Sequence, residues 1–252
     1  MGTTFLRVGK PLGRDTSVIG FEIAERASLM RISPLFAGLP ALECTEIAKR
    51  ARPRYFARNE LLFMQGEPFR QLILVESGCV KLTRVSSSGS EVILEMRGSR
   101  DAIDLPNGSP FCNHPCTARA ITKCKALTWD WTTAQTLIET IPQLSRNICS
   151  ILSSQLNELQ ERYHEISAER VERRVACALI RLDRQFGNPS GGGSAIAISR
   201  QELAQMTGTT LFTVSRLISK WSELGLVSPR REAVLMLDAK RLDRLSGLET
   251  DL

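Results

Sequence analysis

At 252 residues, with 42% hydrophobic and 24% charged residues, the chain has the make-up of a globular protein that can bury a sizeable core and divide into two domains. A net charge of +6 suits an anionic partner, whereas no apolar run approaches the ~20 residues needed to span a bilayer, so no membrane partner is expected. Cys44, Cys79, Cys112, Cys116, Cys124, Cys149 and Cys177 are odd in number and scattered, which excludes a disulfide framework and points to a reducing cytoplasm; Met1 to Lys10 lack the apolar core of a secretory signal.

Residues 1–28 show mixed polarity without a clear period and read as a poorly ordered or loosely docked extension. From Leu29 the pattern changes. Pro34-Leu35-Phe36 and Leu39, Leu42, Ile47 and Ala48 predict short helices, with Pro40 at a helix start. From Tyr55 onward the pattern alternates: Glu60–Phe63, Gln71–Val75, Val80–Val85 and Glu91–Met96 are separated by Gln65-Gly66-Glu67-Pro68, Glu76-Ser77-Gly78 and Ser86–Ser90. Short strands with turn signals at this spacing predict an antiparallel barrel or jelly roll. Ser86–Ser90 has the length and the glycine of a hairpin loop. A polar, proline-containing stretch from Asp104 to Pro115 follows, and strand character returns at Thr117–Thr122 and Ala126–Trp129. These elements define a domain over residues 29–132.

From Thr133 the period becomes helical. Ile141, Leu144, Ile148, Ile151/Leu152, Leu156, Leu159, Tyr163 and Ile166 step by three or four, giving a narrow apolar seam. Either this helix packs on its own barrel or it pairs with a second copy; its length favours a dimer. Ser167-Ala168-Glu169 reads as a hinge closing the segment 133–168, and a further helix is expected over Val171–Phe186. Gly187–Ser194 is a flexible loop by composition, and Ala195–Ile198 a short strand.

The segment Ser199–Ile218 carries the sharpest signal. Ser199 with Glu202 is a capping box and marks a helix start. Leu203 and Met206 give that helix an apolar face, and Gly208 permits a turn. Thr209 or Thr210 caps a second helix, in which Leu211, Val214, Leu217, Ile218 and Trp221 recur at helical spacing. Two short helices about a glycine turn form the helix-turn-helix pattern. Thr209, Thr210, Thr213 and Ser215 can donate to phosphates, and Arg216 can reach a guanine edge. The bland alternative is a helical hairpin with a solvated Arg216. Gly225–Leu237 counts against it, because it reads as a hairpin whose tip, Pro229-Arg230-Arg231-Glu232, suits a basic wing on DNA.

Ser33–Leu39, Phe56–Glu60, Phe63–Glu67 and Leu74–Leu82, with Val171–Ala176 and the winged helix-turn-helix, resemble the Crp/Fnr superfamily of transcription regulators over about residues 29–240. Asn59 stands where the family usually has glycine, and asparagine tolerates the left-handed turn. The resemblance implies an α+β protein: a double-stranded β-helix (jelly-roll) sensor, a long dimerisation helix, and a winged helix-turn-helix over residues 169–252. It implies a homodimer through Ile141, Leu144, Ile148, Leu152, Leu156, Leu159, Tyr163 and Ile166, on half-sites about 34 Å apart in double-stranded DNA. RNA polymerase is a further implied partner if the protein activates transcription.

By position, Arg200, Thr209 and Thr210 anchor phosphates, and Ser215 and Arg216 face bases, with Thr213, Lys220, Arg230 and Arg231 alongside. Where well-known members carry a cytosine-reading glutamate, this chain has Phe212, which can touch a thymine methyl. Leu211 replaces a residue that is polar or cationic in some members. The Arg-Ser pair that holds a cyclic phosphate in the family is missing, so tight cyclic AMP binding is not expected; Asp104 and Arg119 are the remaining candidates for an effector pocket. An N-terminal iron–sulfur cysteine cluster is missing too, since only Cys44 precedes residue 79. Cys112, His114 and Cys116 can bind a soft metal, present His114 to haem or act as redox thiols, giving a sensor module as the alternative function. The bland reading is a surface loop with incidental cysteines, because no fourth ligand is apparent. His164 reads as exposed or helix-packing. No nucleophile–base arrangement or phosphate loop argues for an enzyme.

Overall fold

The computed structural model describes residues 16–87, 89–103, 105, 113–187 and 194–246. Helix α1 (Thr16–Arg31), a 3-10 turn (Pro34–Phe36) and α2 (Ala41–Arg50) precede eight strands: β1 (Arg52–Phe56), β2 (Leu61–Phe63), β3 (Gln71–Ser77), β4 (Val80–Val85), β5 (Glu91–Arg97), β6 (Ala102–Ile103), β7 (Thr117–Ala120) and β8 (Cys124–Asp130). They form two antiparallel four-stranded sheets, ordered β1-β8-β3-β6 and β2-β7-β4-β5. Between the sheets lie Phe56, Phe63, Ile73, Val75, Val80, Leu82, Ile103 and Ala126. Alternate residues of β3 and β8 point the other way, so Leu72, Leu74, Leu127 and Trp129 pack beneath the helices. Burial on both faces explains why β3 is apolar without interruption.

Two differences from the sequence reading stand out in this half. Residues 16–28 are not a loose extension: they belong to α1, where Ala27 and Met30 are buried in the helical layer with Ile23 beside them. Arg26 donates to Ala51 O just beyond α2. Ile23, Ala27 and Met30 recur at spacings of four and three, a stripe too thin to stand out among the polar residues around it. Residues 1–15 lie outside the described residues. The second difference is β1, an exposed edge strand whose Arg52, Pro53 and Arg54 hide the alternating pattern. Asn59 has φ 68°, the left-handed turn expected there.

Asp130 caps α3 (Trp131–Thr140), accepting the Thr133 N–H at 2.9 Å. The long helical period is broken at Ile141, because Pro142 biases the residue before it away from helical geometry. Helix α4 (Pro142–Ala168) then runs 27 residues, about 40 Å at 1.5 Å per residue. No helix among the described residues is long and apolar enough to cross a membrane.

The C-terminal part comprises α5 (Val171–Phe186), β9 (Ser194–Ile196), α6 (Arg200–Thr207), α7 (Leu211–Glu223), β10 (Val227–Arg230), β11 (Ala233–Met236) and α8 (Ala239–Ser246), with the sheet ordered β10-β11-β9. Val175, Leu179, Leu203, Val214, Ile218, Trp221, Val234 and Leu242 form its core. That core continues into the barrel through Ile93 and Met96 of β5, against which α6 lies. Gln185 donates to Met96 O at 2.9 Å. A Cβ on Gly98 would come within 2.6 Å of Phe186 Cε1, so glycine is what lets the last ring of α5 rest on the end of β5.

Candidate nucleic-acid interface and effector cavity

The helix-turn-helix is set up by local hydrogen bonds. The Glu202 N–H donates to Ser199 Oγ at 3.1 Å and the Ser199 N–H donates back to Glu202 Oε2 at 2.9 Å. Burial alone would raise the Glu202 carboxyl, but the Ser199 N–H, the Ser199 hydroxyl and the nearby Lys81 ammonium outweigh it and hold the group below the usual range. Gly208 closes α6 at φ 62°, a conformation glycine adopts without steric cost. Thr210, rather than Thr209, caps α7, accepting the Thr213 N–H at 3.2 Å.

Helix α7 has two faces. Val214, Leu217, Ile218 and Trp221 seal the domain, while Leu211, Phe212 and Arg216 project into solvent and Ser215 lies at the margin. Phe212 is 77% exposed, unusual for a phenylalanine on a well-packed helix. Arg200 is exposed at the start of α6, and Arg230 and Arg231 are exposed at the hairpin tip. Thr213 is half-buried with its hydroxyl 3.0 Å from that of Thr210. Lys220 is tied to Glu172 of α5 at 2.9 Å. At the hairpin tip Glu232 meets Arg58 of the barrel at 2.7 Å, and in α6 Glu202 meets Lys81 of β4 at 3.3 Å.

The apolar seam of α4 does not behave as one surface. Leu144 and Ile148, expected in a dimer interface, are 3% and 6% exposed inside their own domain, and Ile141 is half-buried against the same core. They pack there because α3, α2 and the outer face of β3 and β8 offer an apolar bed. Leu152, Leu156, Leu159, Tyr163 and Ile166 remain exposed.

Of the two candidate pocket residues, the structure describes Arg119. Arg119 donates to Asn59 O at 2.7 Å and does not line the barrel cavity, since its strand position turns it outward. Asp104 lies outside the described residues. The cavity, about 440 Å³, opens between β4, β5 and α4, with Arg84, Glu95, Arg97 and Arg162 among its walls. Burial pulls the Arg162 guanidinium below its usual range, and Glu95 opposes that shift. None of these four was singled out from sequence. Glu95 and Arg97, two apart in a strand, share one face; Leu152, Gln155, Leu159 and Arg162 share one face of α4.

Cys112 also lies outside the described residues. His114 is buried, its ring stacked on Phe63 at 3.8 Å between centroids and tilted against Phe69, and its backbone bridges Gly66 and Glu67. The His114 ring thus packs within the barrel, and Cys116 is buried in the barrel core. Among the described residues no group of three or more histidine, cysteine or carboxylate side chains is arranged to hold a metal.

Residues 53–140 match the cyclic nucleotide-binding domain family, and residues 173–245 match the Crp-like helix-turn-helix domain. The chain is 29% identical over 206 residues to the transcriptional activator protein anr of Pseudomonas aeruginosa, covering 80% of this chain and 82% of that one. It is 27% identical over 227 residues to a CRP-like cAMP-activated global transcriptional regulator of Mycobacterium tuberculosis, covering 88% and 98%. In fold it is similar to FixK2 from Bradyrhizobium japonicum, with a TM-score of 0.69 at 21% identity, over 77% of this chain and 96% of that one. With a sensor-type barrel, a long helix and a winged helix-turn-helix in this order, the chain belongs to the Crp/Fnr family of transcription regulators.

Proposed function

We propose that the protein works as a cytoplasmic homodimer that reads a palindromic operator and answers to a small effector other than cyclic AMP. The observation that carries the operator reading is the outer face of α7, where Phe212 and Arg216 stand exposed opposite a sealed apolar face. Arg216 donates to a guanine edge and Phe212 covers a thymine methyl. Thr209 and Thr210 hold phosphates about the start of α7, where the N–H groups of a helix N-terminus attract anions, and Arg200 does so from the start of α6. Thr213 and Ser215 add polar contacts, and Arg230 and Arg231 lie along the backbone as a wing. Lys220 joins them once released from Glu172.

The exposed half of α4, from Leu152 to Ile166, pairs with a second copy, and the two reading heads then meet half-sites about 34 Å apart. RNA polymerase is the further partner if bound protein activates transcription. The relative in Mycobacterium tuberculosis is named for activation by cAMP. Here the arginine-serine pair for a cyclic phosphate is missing from the sequence, and micromolar cyclic AMP affinity in calorimetry would contradict this reading.

Selection of bound sites from a randomised duplex pool tests the operator reading. Arg216→Ala should lose about 1–3 kcal/mol of specific binding and relax one base position in each half-site. Unchanged specificity would refute Arg216 as a base reader.

A further inference from the structure

The barrel cavity shares a wall with a second cavity. The second, about 420 Å³, lies where the barrel, α4 and α5 meet, bordered by Asp101, Arg181, Arg184 and Gln185. Glu95, Arg97 and Arg162 line both. Arg97 pairs with Glu95 Oε2, while Arg162 reaches Glu95 Oε1 at 3.4 Å and also donates to Leu94 O. The side chains of all three are less than one-fifth exposed.

This cluster is unbalanced. Among the described residues that line the barrel cavity, Glu95 is the single carboxylate, against the guanidinium groups of Arg84, Arg97 and Arg162. Asp101 and Glu158 line the adjoining cavity beside Arg97 and Arg162, and Glu158 also favours the charged form of Arg162; within the barrel cavity itself the described lining presents three guanidinium groups to one carboxylate, an excess of positive charge that favours an anion there. Each guanidinium has five N–H donors, more than one carboxylate can satisfy. Beside the charges the lining is apolar, with Phe69, Leu94, Trp131, Leu152 and Leu159. A cavity of this size and make-up suits a compact organic molecule with one charged end.

We propose that the barrel cavity binds a small organic acid, with its carboxylate on Arg97 and Arg162 in competition with Glu95, and its aromatic or aliphatic body against Trp131 and Leu159. This names the ligand class for the effector site in the regulator reading and rests on that reading only for its consequence. The acid draws the two arginines from Glu95, and the wall that changes is also the wall of the cavity beneath the reading head. Ligand charge is thereby felt at Arg181 and Gln185 of α5 without any contact between ligand and head.

The test is calorimetry on the full-length chain without DNA. The probes are benzoate, phenylacetate and octanoate, their uncharged amides, and inorganic phosphate. At least one acid should bind, its amide and inorganic phosphate should each bind about tenfold more weakly or less, and Arg162→Gln should weaken the acid by about tenfold. Glu95→Gln removes the competitor and should tighten the acid, a sign that a merely structural role would not produce. If no acid binds, if amide or phosphate binds as well as the acid, or if Glu95→Gln fails to tighten binding, the proposal is overturned. Should Arg162→Gln not fold, the ratio of acid to amide in the unaltered chain decides. Operator binding with no acid binding would sink this inference alone; acid binding with no selected operator would sink the regulator reading alone.

Discussion

The two halves of α4 carry the same apolar stripe and meet different surroundings. Leu144 and Ile148 are sealed against α2, α3 and the outer face of the barrel sheet, whereas Leu156, Tyr163 and Ile166 are exposed on the same helix. Periodicity reports that a helix has an apolar face. It does not report what covers that face. In the first half the chain itself supplies the cover, anchored by Asn147, whose Nδ2 donates to Leu35 O and Ala37 O at 2.9 Å each. In the second half no described residue buries Leu156, Tyr163 or Ile166, and the proposed dimer is what would cover them.

This contrast can be broken by mutation. The largest expected effect is from Leu144→Ala, which should cost about 3 kcal/mol in denaturant unfolding, because the buried site cannot fully collapse. Asn147→Ala should cost about 2 kcal/mol by leaving the buried Leu35 carbonyl and the partly buried Ala37 carbonyl without their donor. Leu156→Asp should change the unfolding free energy by no more than about 0.5 kcal/mol, yet raise the dimer dissociation constant at least about tenfold in sedimentation equilibrium. If Leu144→Ala and Leu156→Asp affected folding equally, the two halves would not differ as described.

The smallest effect concerns pH, at the N-terminal cap of α3. The Thr132 hydroxyl, with the Thr133 N–H and hydroxyl, holds the Asp130 carboxyl down to about 2 from an ordinary 3.8. A carboxyl depressed by folding contributes stability that is full above its unfolded value, so it should be present above about pH 4 and fade as pH falls towards 2. Asp130→Asn keeps a capping oxygen and should flatten that part of the acid-melting curve; a curve identical to that of the unaltered chain would contradict the assignment.

How legible each region was follows from how local its causes are. Ser199, Glu202, Gly208 and Thr210 form their bonds within a few residues, so the reading head is written in consecutive letters. The apolar run of β3 and the turn signals that bound β3 to β5 are equally local. The cavity is not: Glu95 and Arg162 are 67 positions apart, and only the docking of α4 on β5 makes them neighbours. Arg119 lies on β7 between the buried Ala118 and Ala120, and that alternation turns it outward. Helix α1 went unread because its buried stripe is three residues wide, and the break at Ile141 because an otherwise unbroken helical period outweighed a single proline.

Gly98 gives the junction between barrel and head a property that charge alone would not. A missing methyl group is the keyhole into which Phe186 fits. Gly98→Ala would therefore act as a wedge: the ring must swing aside and the end of α5 must shift with it. Such a variant leaves every ionisable group in place, so it would unlatch the head by shape alone and show how much of its seating is owed to fit rather than to attraction.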